Sequence, residues 1–322
     1  MTFVRIIGTG SYLPEKVVTN KELEETIDTT DEWIRERTGI KRRHIAAEGE
    51  TTSDMAVQAA ERAMEAAEIS PDDIDLIVVG TTTPDKIFPA TAAIVQRKLG
   101  ISGCGAFDVQ AVCSGFLYAL DVANRNIRTG GSTTALVIGA ETLSRITDWD
   151  DRGTAVLFGD GAGAVVLQAS DEEGIISTHI HADGSHEDLL HVPHGVSQGY
   201  EAVQAGDAFI QMKGNAVFRK AVATLGSIAR ETLAGNNVEK EELDWLVPHQ
   251  ANLRIIAAAA KKLGLSMDRV VVTVDEHANT SAASIPLALD TAVRDGRIQR
   301  GELLLLEAFG GGFTWASALL RY

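Results

Sequence analysis

The sequence RAMEAAEISPDDIDLIVV at residues 62–79 matches the pattern of ETLAGNNVEKEELDWLVP at residues 231–248, with an offset of 169 and no gap. In both copies a helix-like segment runs into an acidic turn, and an apolar strand then opens at Asp75 or at Asp244. Self-similarity at a fixed spacing indicates that one supersecondary unit occurs more than once in the chain.

Four weaker matches keep the same order along the chain. Their paired starting residues are Lys98 and Lys262, Ala119 and Ala288, Ala135 and Leu303, and Gly159 and Gly310, at offsets of 164, 169, 168 and 151. Each match is weak alone, but their collinear order predicts two halves, residues 1–170 and 171–322. Each half then has the element order βαβαβαββ.

Alternating strands and helices imply a largely parallel, buried sheet that helices cover on both faces. In open α/β sheets, ligands bind beyond the carboxyl ends of the strands. The duplication therefore predicts that the functional residues lie at equivalent strand ends of the two halves, facing each other.

Composition limits the classes of function. The 322 residues are 45% hydrophobic and 23% charged, which is typical of a soluble globular protein. A formal net charge of −16 disfavours nucleic acid and anionic membranes as general ligands. Two cysteines are too few for a disulfide framework and favour a reducing compartment. With no signal-peptide pattern and no apolar run of about 18 residues, we expect a cytoplasmic protein.

Cys113 lies between the apolar run at residues 105–112 and a segment with helical periodicity that starts at Ser114. A thiol at the N-terminus of a helix meets unpaired backbone N–H groups and the positive end of the helix dipole, which favour the thiolate. Cys113 is therefore a candidate nucleophile, although a small buried hydrophobic role also fits a free cysteine. Cys104, in a glycine-rich loop, is the weaker candidate.

Asn279 and His249 follow predicted strands of the second half. Asn279 comes after the apolar run at residues 270–274, and an offset of 166 would place it opposite Cys113. A helix cap or turn role also fits this asparagine. His249 ends the strand that opens at Asp244, and His277 is its rival by position.

Neither a metal nor a nucleotide cofactor is predicted. The histidine pairs lack a supporting set of cysteine or acidic ligands. These pairs are His179 with His181 and His191 with His194. The glycine runs at residues 159–163 and 310–312 fit neither a P-loop nor a dinucleotide fingerprint. The second run instead allows close approach of bare backbone N–H groups to a reacting centre.

Eight motifs spread along the whole chain carry a family resemblance. They are GTGSYLPE from Gly8, DEWIRERTGI from Asp31, AVCSGF from Ala111, DRGT from Asp151, FGDGAGA from Phe158, VPHQAN from Val247, HANTSAAS from His277 and FGGGFTW from Phe309. Together they resemble β-ketoacyl-acyl-carrier-protein synthase III, the condensing enzyme that starts bacterial type II fatty acid synthesis. This resemblance implies the thiolase-like α/β fold, with five layers in the order αβαβα.

By this resemblance the catalytic triad falls on Cys113, His249 and Asn279, and the oxyanion hole on the backbone N–H groups of Cys113 and Gly311. Cys113 would accept the acyl group of acetyl-CoA or another short acyl-CoA. His249 and Asn279 would then stabilise the enolate formed when malonyl acyl carrier protein (ACP) loses CO₂. No cofactor is expected, because the CoA thioester is itself a substrate.

The resemblance also implies binding surfaces. The residues expected to bind CoA and substrate are Thr29, Trp33, Arg37, Arg152, Gly214, Asn215, Phe218, Ala251, Asn252 and Phe309, the last as a gate to the catalytic chamber. Phe88 would reach the acyl pocket of the partner in a homodimer. The residues expected to bind ACP are Gln250, Ala251, Asn252, Leu253, Arg254, Lys261 and Lys262, on a helix predicted to begin at Gln250. A local basic patch suits an acidic carrier protein.

Three alternatives stay open at this point. The first is another thiolase-fold condensing enzyme that uses acyl-CoA primers for a secondary metabolite. Ser114, beside the nucleophile, stands where close relatives often have Ala. The second is a Cys-His-Asn hydrolase, in which His249 would activate water. The third is a catalytically silent condensing-enzyme partner, against which the presence of Cys113 argues.

Overall fold

A computed structural model describes residues 2–206 and 208–322 of the chain. Within these residues the strands are β1 (Phe3–Tyr12), β2 (Lys16–Thr19), β3 (Arg42–Ile45), β4 (Leu76–Gly80), β5 (Gly105–Val109), β6 (Thr134–Thr142), β7 (Asp160–Ser170), β8 (Ile175–Ala182), β9 (Leu190–His191), β10 (Gln211–Met212), β11 (Trp245–Pro248), β12 (Leu303–Gly310) and β13 (Thr314–Arg321).

The helices connect these strands and cover the sheets. In the same described residues they are α1 (Asn20–Glu24), α2 (Asp31–Thr38), α3 (Thr52–Ala66), α4 (Thr91–Lys98), α5 (Gly115–Arg128), α6 (Arg152–Ala155), α7 (Glu201–Gln204), α8 (Gly214–Gly235), α9 (Leu253–Leu263), α10 (Val274–His277) and α11 (Ser284–Arg294). None of these helices combines the length and the apolar character that crossing a bilayer requires.

The two main sheets share one four-strand order, with β5 as an additional edge strand in the first. Both are mixed rather than largely parallel as predicted, because β7 and β13 each pair antiparallel with both neighbours. The first sheet has the order β1-β7-β6-β4-β5, and the second has the order β11-β12-β13-β8. In the first sheet Leu76 pairs in parallel with Ala135, and in the second Trp245 pairs in parallel with Leu304. Trp245 is thus the counterpart of Leu76, and Leu304 that of Ala135, both at an offset of 169. The offset of 168 predicted for Ala135 is too small by one residue. The division of the chain at residue 170 into two folding units stays a prediction.

The helices and the two sheets stack in five layers, with buried apolar cores between them. One core lies between the sheets, where α5 and α11 form the middle layer. A second core packs α3 and α4 on the outer face of the first sheet, and a third packs α8 and α9 on the outer face of the second. Both faces of each sheet are therefore covered, which explains why β6 is buried along its whole length and is mostly apolar.

The strand predicted at residues 270–274 is wrong. Only Val270 forms a bridge, in parallel to Leu246, and α10 begins at Val274. The buried side chain of Gln250 accounts for the difference, because its Oε1 accepts the N–H groups of Thr273 at 2.8 Å and Val274 at 3.1 Å. A side-chain amide thus satisfies backbone groups that a longer strand would otherwise use.

Two short turns at equivalent places bring the halves together. They are the 3₁₀ turns Val112–Ser114, which leads into α5, and Ser281–Ala283, which leads into α11. The first residue of each has a left-handed backbone, with φ of +47° at Val112 and +51° at Ser281. Such a conformation is uncommon outside glycine, so its recurrence at an offset of 169 marks the two turns as copies.

Candidate active site

A cavity of about 1400 Å³ reaches residues of both halves. Its buried lining includes the five residues predicted at the chemical centre, Cys113, His249, Asn279, Phe309 and Gly311. Its exposed or half-buried lining includes the predicted binding residues Trp33, Arg37, Gly214, Asn215, Phe218, Ala251, Asn252 and Arg254. The structure therefore gathers residues that are up to about 280 positions apart in sequence.

Cys113 lies in the turn before α5 and is buried. Burial raises the pKa of its thiol to about 12, while interactions with the Ser281 side chain and with the backbone N–H groups of Cys113 and Gly311 oppose that shift. The expected influence of the helix N-terminus is therefore outweighed by desolvation in the free protein. The N–H groups of Cys113 and Gly311 converge beside the sulfur. The carbonyl oxygen of a thioester attacked by that sulfur would become negative next to them.

Thr314 joins the two segments that carry these N–H donors. Its hydroxyl donates to Ala111 O at 2.8 Å, and its own carbonyl accepts from the Ser114 hydroxyl at 3.2 Å. Between the segments lies Gly310, where a Cβ atom would stand 2.8 Å from Cys113 N. The glycine run therefore serves a close backbone approach, as its sequence indicates, and the hydroxyl bonds hold that approach in register.

His249 is buried at the end of β11, where its backbone N–H donates to Glu307 O at 2.8 Å. Burial lowers the pKa of its imidazole to about 3, so the ring is neutral near pH 7. Its Nδ1 lies 2.7 Å from the Ser284 hydroxyl, which also accepts the Gln250 N–H at 3.3 Å. Because Nδ1 is the one acceptor within reach of the Ser284 hydrogen among the described residues, we assign that hydrogen to Nδ1, which leaves the ring proton on Nε2.

Asn279 is held by its backbone and by one side-chain oxygen. Its N–H donates to Leu157 O at 2.9 Å, and its carbonyl accepts from Gly159 N at 3.1 Å. Its Oδ1 accepts the Ser281 N–H at 2.9 Å. This bond fixes the amide orientation and leaves the Nδ2 donor directed at the cavity that Asn279 lines.

The structure adds three residues to the site that the sequence reasoning missed: Glu141, Ser281 and Ser284. Ser281 acts on the pKa of the Cys113 thiol and donates to the buried carboxylate of Glu141 at 3.1 Å. Glu141 could have been predicted, because it directly follows the apolar residues of β6 and functional residues are expected at the carboxyl ends of strands. The two serines belong to the motif from His277, but nothing in their spacing distinguishes them from helix-capping residues.

The predicted CoA-binding residues form a cationic and aromatic group. The guanidinium carbon of Arg37 lies 5.9 Å from the centre of the Trp33 ring, and that of Arg152 lies 4.9 Å from it. Asn252 caps α9 by accepting the Arg254 N–H and donates to Arg37 O at 3.2 Å. Thr29 and Arg152 lie outside the cavity lining formed by the described residues.

The predicted ACP surface needs two corrections. Helix α9 begins at Leu253 rather than at Gln250, because Asn252 supplies its cap. Gln250 is buried, and its side chain bonds to internal backbone, so it presents nothing to a partner. Arg254, Lys261 and Lys262 remain exposed, and the Arg254 guanidinium lies 5.2 Å from the Phe218 ring centre.

The structure also locates Phe88 and the histidine pair His179 and His181. Phe88 is 82% exposed, next to Ile87, which lines the cavity. His179 and His181 both face the carboxylate of Glu231, at 3.6 and 3.0 Å. Within residues 2–206 and 208–322, no three His, Cys, Asp or Glu side chains form a group suited to a metal ion.

Comparisons with known proteins agree along the whole chain. The model of the family 3-oxoacyl-[acyl-carrier-protein (ACP)] synthase III matches residues 107–184, and the model of its C-terminal part matches residues 233–322. The β-ketoacyl-[acyl-carrier-protein] synthase III of Thioalkalivibrio sulfidiphilus is 67% identical over 322 residues, covering 100% of both chains.

Solved structures are similar over the same extent. The crystal structure of 3-oxoacyl-[acyl-carrier-protein] synthase III from Aquifex aeolicus is 49% identical, with a TM-score of 0.94, over 99% of this chain and 100% of that one. The priming β-ketosynthase of the R1128 polyketide pathway is 41% identical, with a TM-score of 0.94, over 99% and 96%. These likenesses confirm the predicted thiolase-like fold, and the chain belongs to the β-ketoacyl-[acyl-carrier-protein] synthase III family.

Proposed function

We propose that Cys113, His249 and Asn279 carry out the family's reaction in this chain. As a family member, the chain is a condensing acyltransferase that uses an acyl-CoA primer and ACP to initiate fatty acid synthesis. In the first half-reaction, the Cys113 sulfur attacks the acyl-CoA thioester and CoA departs. The N–H groups of Cys113 and Gly311 stabilise the oxyanion, since both already converge on the sulfur.

In the second half-reaction, malonyl-ACP loses CO₂ and its enolate attacks the acyl-enzyme. The bond between the acyl carbon and the Cys113 sulfur then breaks, and the released thiolate takes up a proton to regenerate the thiol. Nε2–H of His249 and Nδ2–H of Asn279 donate to the thioester oxygen that becomes negative. The bond from Ser284 to Nδ1 carries this assignment, because it fixes the tautomer that can donate. Departure of CO₂ generates the carbanion, so neither residue has to remove a proton from the substrate.

The low pKa of His249 argues against the hydrolase alternative. A base that activates water works best with a pKa near the operating pH. Burial holds the pKa of the His249 imidazole at about 3, well below that range. His249 is therefore suited to donate a hydrogen bond and poorly suited to activate water for hydrolysis of the acyl-enzyme.

The exposed residues around the cavity mouth support two binding proposals. Trp33, flanked by Arg37 and Arg152, offers a ring and two cations to the adenine and phosphates of CoA. Arg254, with Lys261 and Lys262 on the same helix, offers positive charge to acidic ACP in a chain whose net charge is −16.

A homodimer is also part of the proposal. Phe88 is 82% exposed, and Phe107, which is 39% exposed, lies on β5, the strand at one edge of the first sheet. Exposed aromatic residues beside an unpaired strand edge are typical of an interaction surface. A mass of one chain, measured by light scattering at micromolar concentration, would contradict this part.

Mass spectrometry of the intact protein tests the mechanism directly. After incubation with acetyl-CoA, we expect one acetyl adduct on Cys113 that malonyl-ACP discharges to a β-ketoacyl product. Cys113→Ala should abolish the adduct, while the matched variant Cys104→Ala should keep it. A folded wild-type protein without an adduct would overturn the proposal. Repeating the assay with longer acyl-CoA primers separates a fatty acid starter enzyme from one that primes another pathway.

A further inference from the structure

Glu141 is a fully buried carboxylate near the end of β6 and accepts a hydrogen bond from Ser281, a neighbour of the nucleophile. Its Oε2 accepts hydrogen bonds from the Thr83 hydroxyl at 2.6 Å and from the backbone N–H groups of Thr82 and Thr83, both at 3.1 Å. The Thr81 hydroxyl lies at 3.4 Å. All these donors are neutral, so the carboxylate is held in place without a salt bridge.

Ser281 is fixed between this carboxylate and the sulfur. Its hydroxyl donates to Glu141 Oε1 at 3.1 Å and faces the Cys113 sulfur. Its backbone is held in the left-handed region, with φ of +51°, while its N–H donates to Asn279 Oδ1. A strained backbone at a fixed side chain marks a position that the surrounding structure over-determines.

The first half-reaction needs an acceptor for the thiol proton. Burial raises the pKa of the Cys113 thiol to about 12, so little thiolate exists before the substrate binds. His249 is a poor acceptor, because burial lowers the pKa of its imidazole to about 3. Burial raises the pKa of Glu141 to about 7, which suits a group that takes up and returns a proton near neutral pH.

We propose that Glu141 accepts the Cys113 proton through the Ser281 hydroxyl during acyl transfer from CoA. The thiol proton moves to the Ser281 oxygen as the hydroxyl proton moves to Glu141. The bond between the sulfur and the acyl carbon forms, and the bond between that carbon and the CoA sulfur breaks. The departing CoA thiolate recovers the proton from Glu141 by the same route, so the products are acyl-enzyme and the CoA thiol.

This role differs from those of the proposed catalytic residues. Glu141 touches no reacting atom and acts only through Ser281, so it is a positioning and proton-holding residue. The proposal rests on Cys113 being the nucleophile, as proposed above. The groups that face Glu141 are the Cys113 thiol, the Ser281 hydroxyl, and the hydroxyls and N–H groups of residues 81–83.

Rapid-quench mass spectrometry tests the proposal by measuring the two half-reactions separately. We expect the rate of Cys113 acetylation by acetyl-CoA in the wild type to follow one titration near pH 7. Glu141→Gln should lose that titration and acetylate roughly 10²- to 10⁴-fold more slowly, the usual range for loss of general acid–base help. Glu141→Asp should recover part of the rate. Release of CO₂ from malonyl-ACP by preformed acetyl-enzyme should change by less than about threefold, because decarboxylation needs no proton transfer to or from Cys113.

Other outcomes refute the proposal. An unchanged acetylation rate and pH profile in Glu141→Gln would show that the carboxylate accepts no proton. Equal losses in both half-reactions would show a merely structural role. If Glu141→Gln does not fold, Ser281→Ala gives the same test, because it removes the relay and keeps the carboxylate. Absence of the adduct in the wild type would instead refute the proposed function.

Discussion

Ser284→Ala tests how His249 is prepared to donate a hydrogen bond. The substitution removes the hydroxyl that lies 2.7 Å from Nδ1 and leaves the imidazole in the same buried position. Without that donor, Nδ1 becomes a buried acceptor with no partner, and the tautomer with the proton on Nε2 loses its advantage. The second half-reaction should therefore suffer, since it is the step in which Nε2–H stabilises developing charge.

The structure allows the size of the effect to be worked out. Leaving a buried acceptor unsatisfied costs about 1–3 kcal/mol. If the whole cost falls on the transition state of decarboxylation, it slows this step about 5- to 150-fold, since about 1.4 kcal/mol corresponds to a factor of ten. Acyl transfer from CoA uses backbone donors rather than Nε2, so its rate should change by less than about threefold.

The assay compares CO₂ release from malonyl-ACP by preformed acetyl-enzyme with acetylation of Cys113 by acetyl-CoA. Ser317→Ala is the matched control, because its hydroxyl is equally buried but bonds to Thr232 outside the cavity lining. We expect Ser284→Ala alone to separate the two rates. Equal slowing of both half-reactions, or normal CO₂ release, would refute the assigned tautomer.

Three more predictions test the surface, the glycine run and a buried acid. Arg254→Glu should raise KM for malonyl-ACP several-fold and spare acetylation by acetyl-CoA, whereas the control Lys16→Glu should change neither. Equal loss of malonyl-ACP use and of acetylation would reject the docking surface. Gly310→Ala places a Cβ 2.8 Å from Cys113 N and should slow acetylation roughly 10²-fold or more; a normal rate would reject the oxyanion hole. Burial raises the pKa of Glu307 to about 8, so the folded state binds this proton more tightly than the unfolded state, and stability falls as pH rises from about 4.5 to 8. Glu307→Gln should remove up to about 5 kcal/mol of that fall in denaturant titrations, and identical pH slopes would contradict it.

Much of the fold was predictable because both halves use the same local signals. An acidic turn followed by an apolar run marks β4 and β11, and the observed strands begin at Leu76 and Trp245, one residue after the predicted openings. Cys113 and His249 could be predicted as site residues because each follows a strand, and parallel strands bring their carboxyl ends to one edge of the sheet.

The failures come from interactions between distant residues. The strand predicted at residues 270–274 has the apolar composition of a strand, but Gln250 supplies the hydrogen bonds there. Glu141 and Ser281 were missed because their importance depends on the contact between two turns in different halves. No local pattern shows that a buried carboxylate and a hydroxyl 140 positions away are 3.1 Å apart.

The predicted offset of 166 for Asn279 is also wrong, and the reason explains how the site arises. The left-handed residues Val112 and Ser281 are related by 169, so Ala282 and not Asn279 is the counterpart of Cys113. Val270 pairs with Leu246 as Ala106 pairs with Ile77 in the first half, so Val270 and Ala106 are counterparts at an offset of 164. The second half therefore has five extra residues before its turn.

These extra residues include α10 and make the duplicated fold asymmetric in the way that one site requires. They carry Asn279 into the cavity, where the first half has no insertion. The counterparts of the nucleophile and the histidine are Ala282 and Gly80, and both are used for packing. A Cβ at Gly139 would lie 2.2 Å from Ala282 O, and one at Gly80 would lie 2.6 Å from Gly115 C. Because backbone fills the place of a second centre, the close contact that positions Cys113 also excludes a symmetric active site.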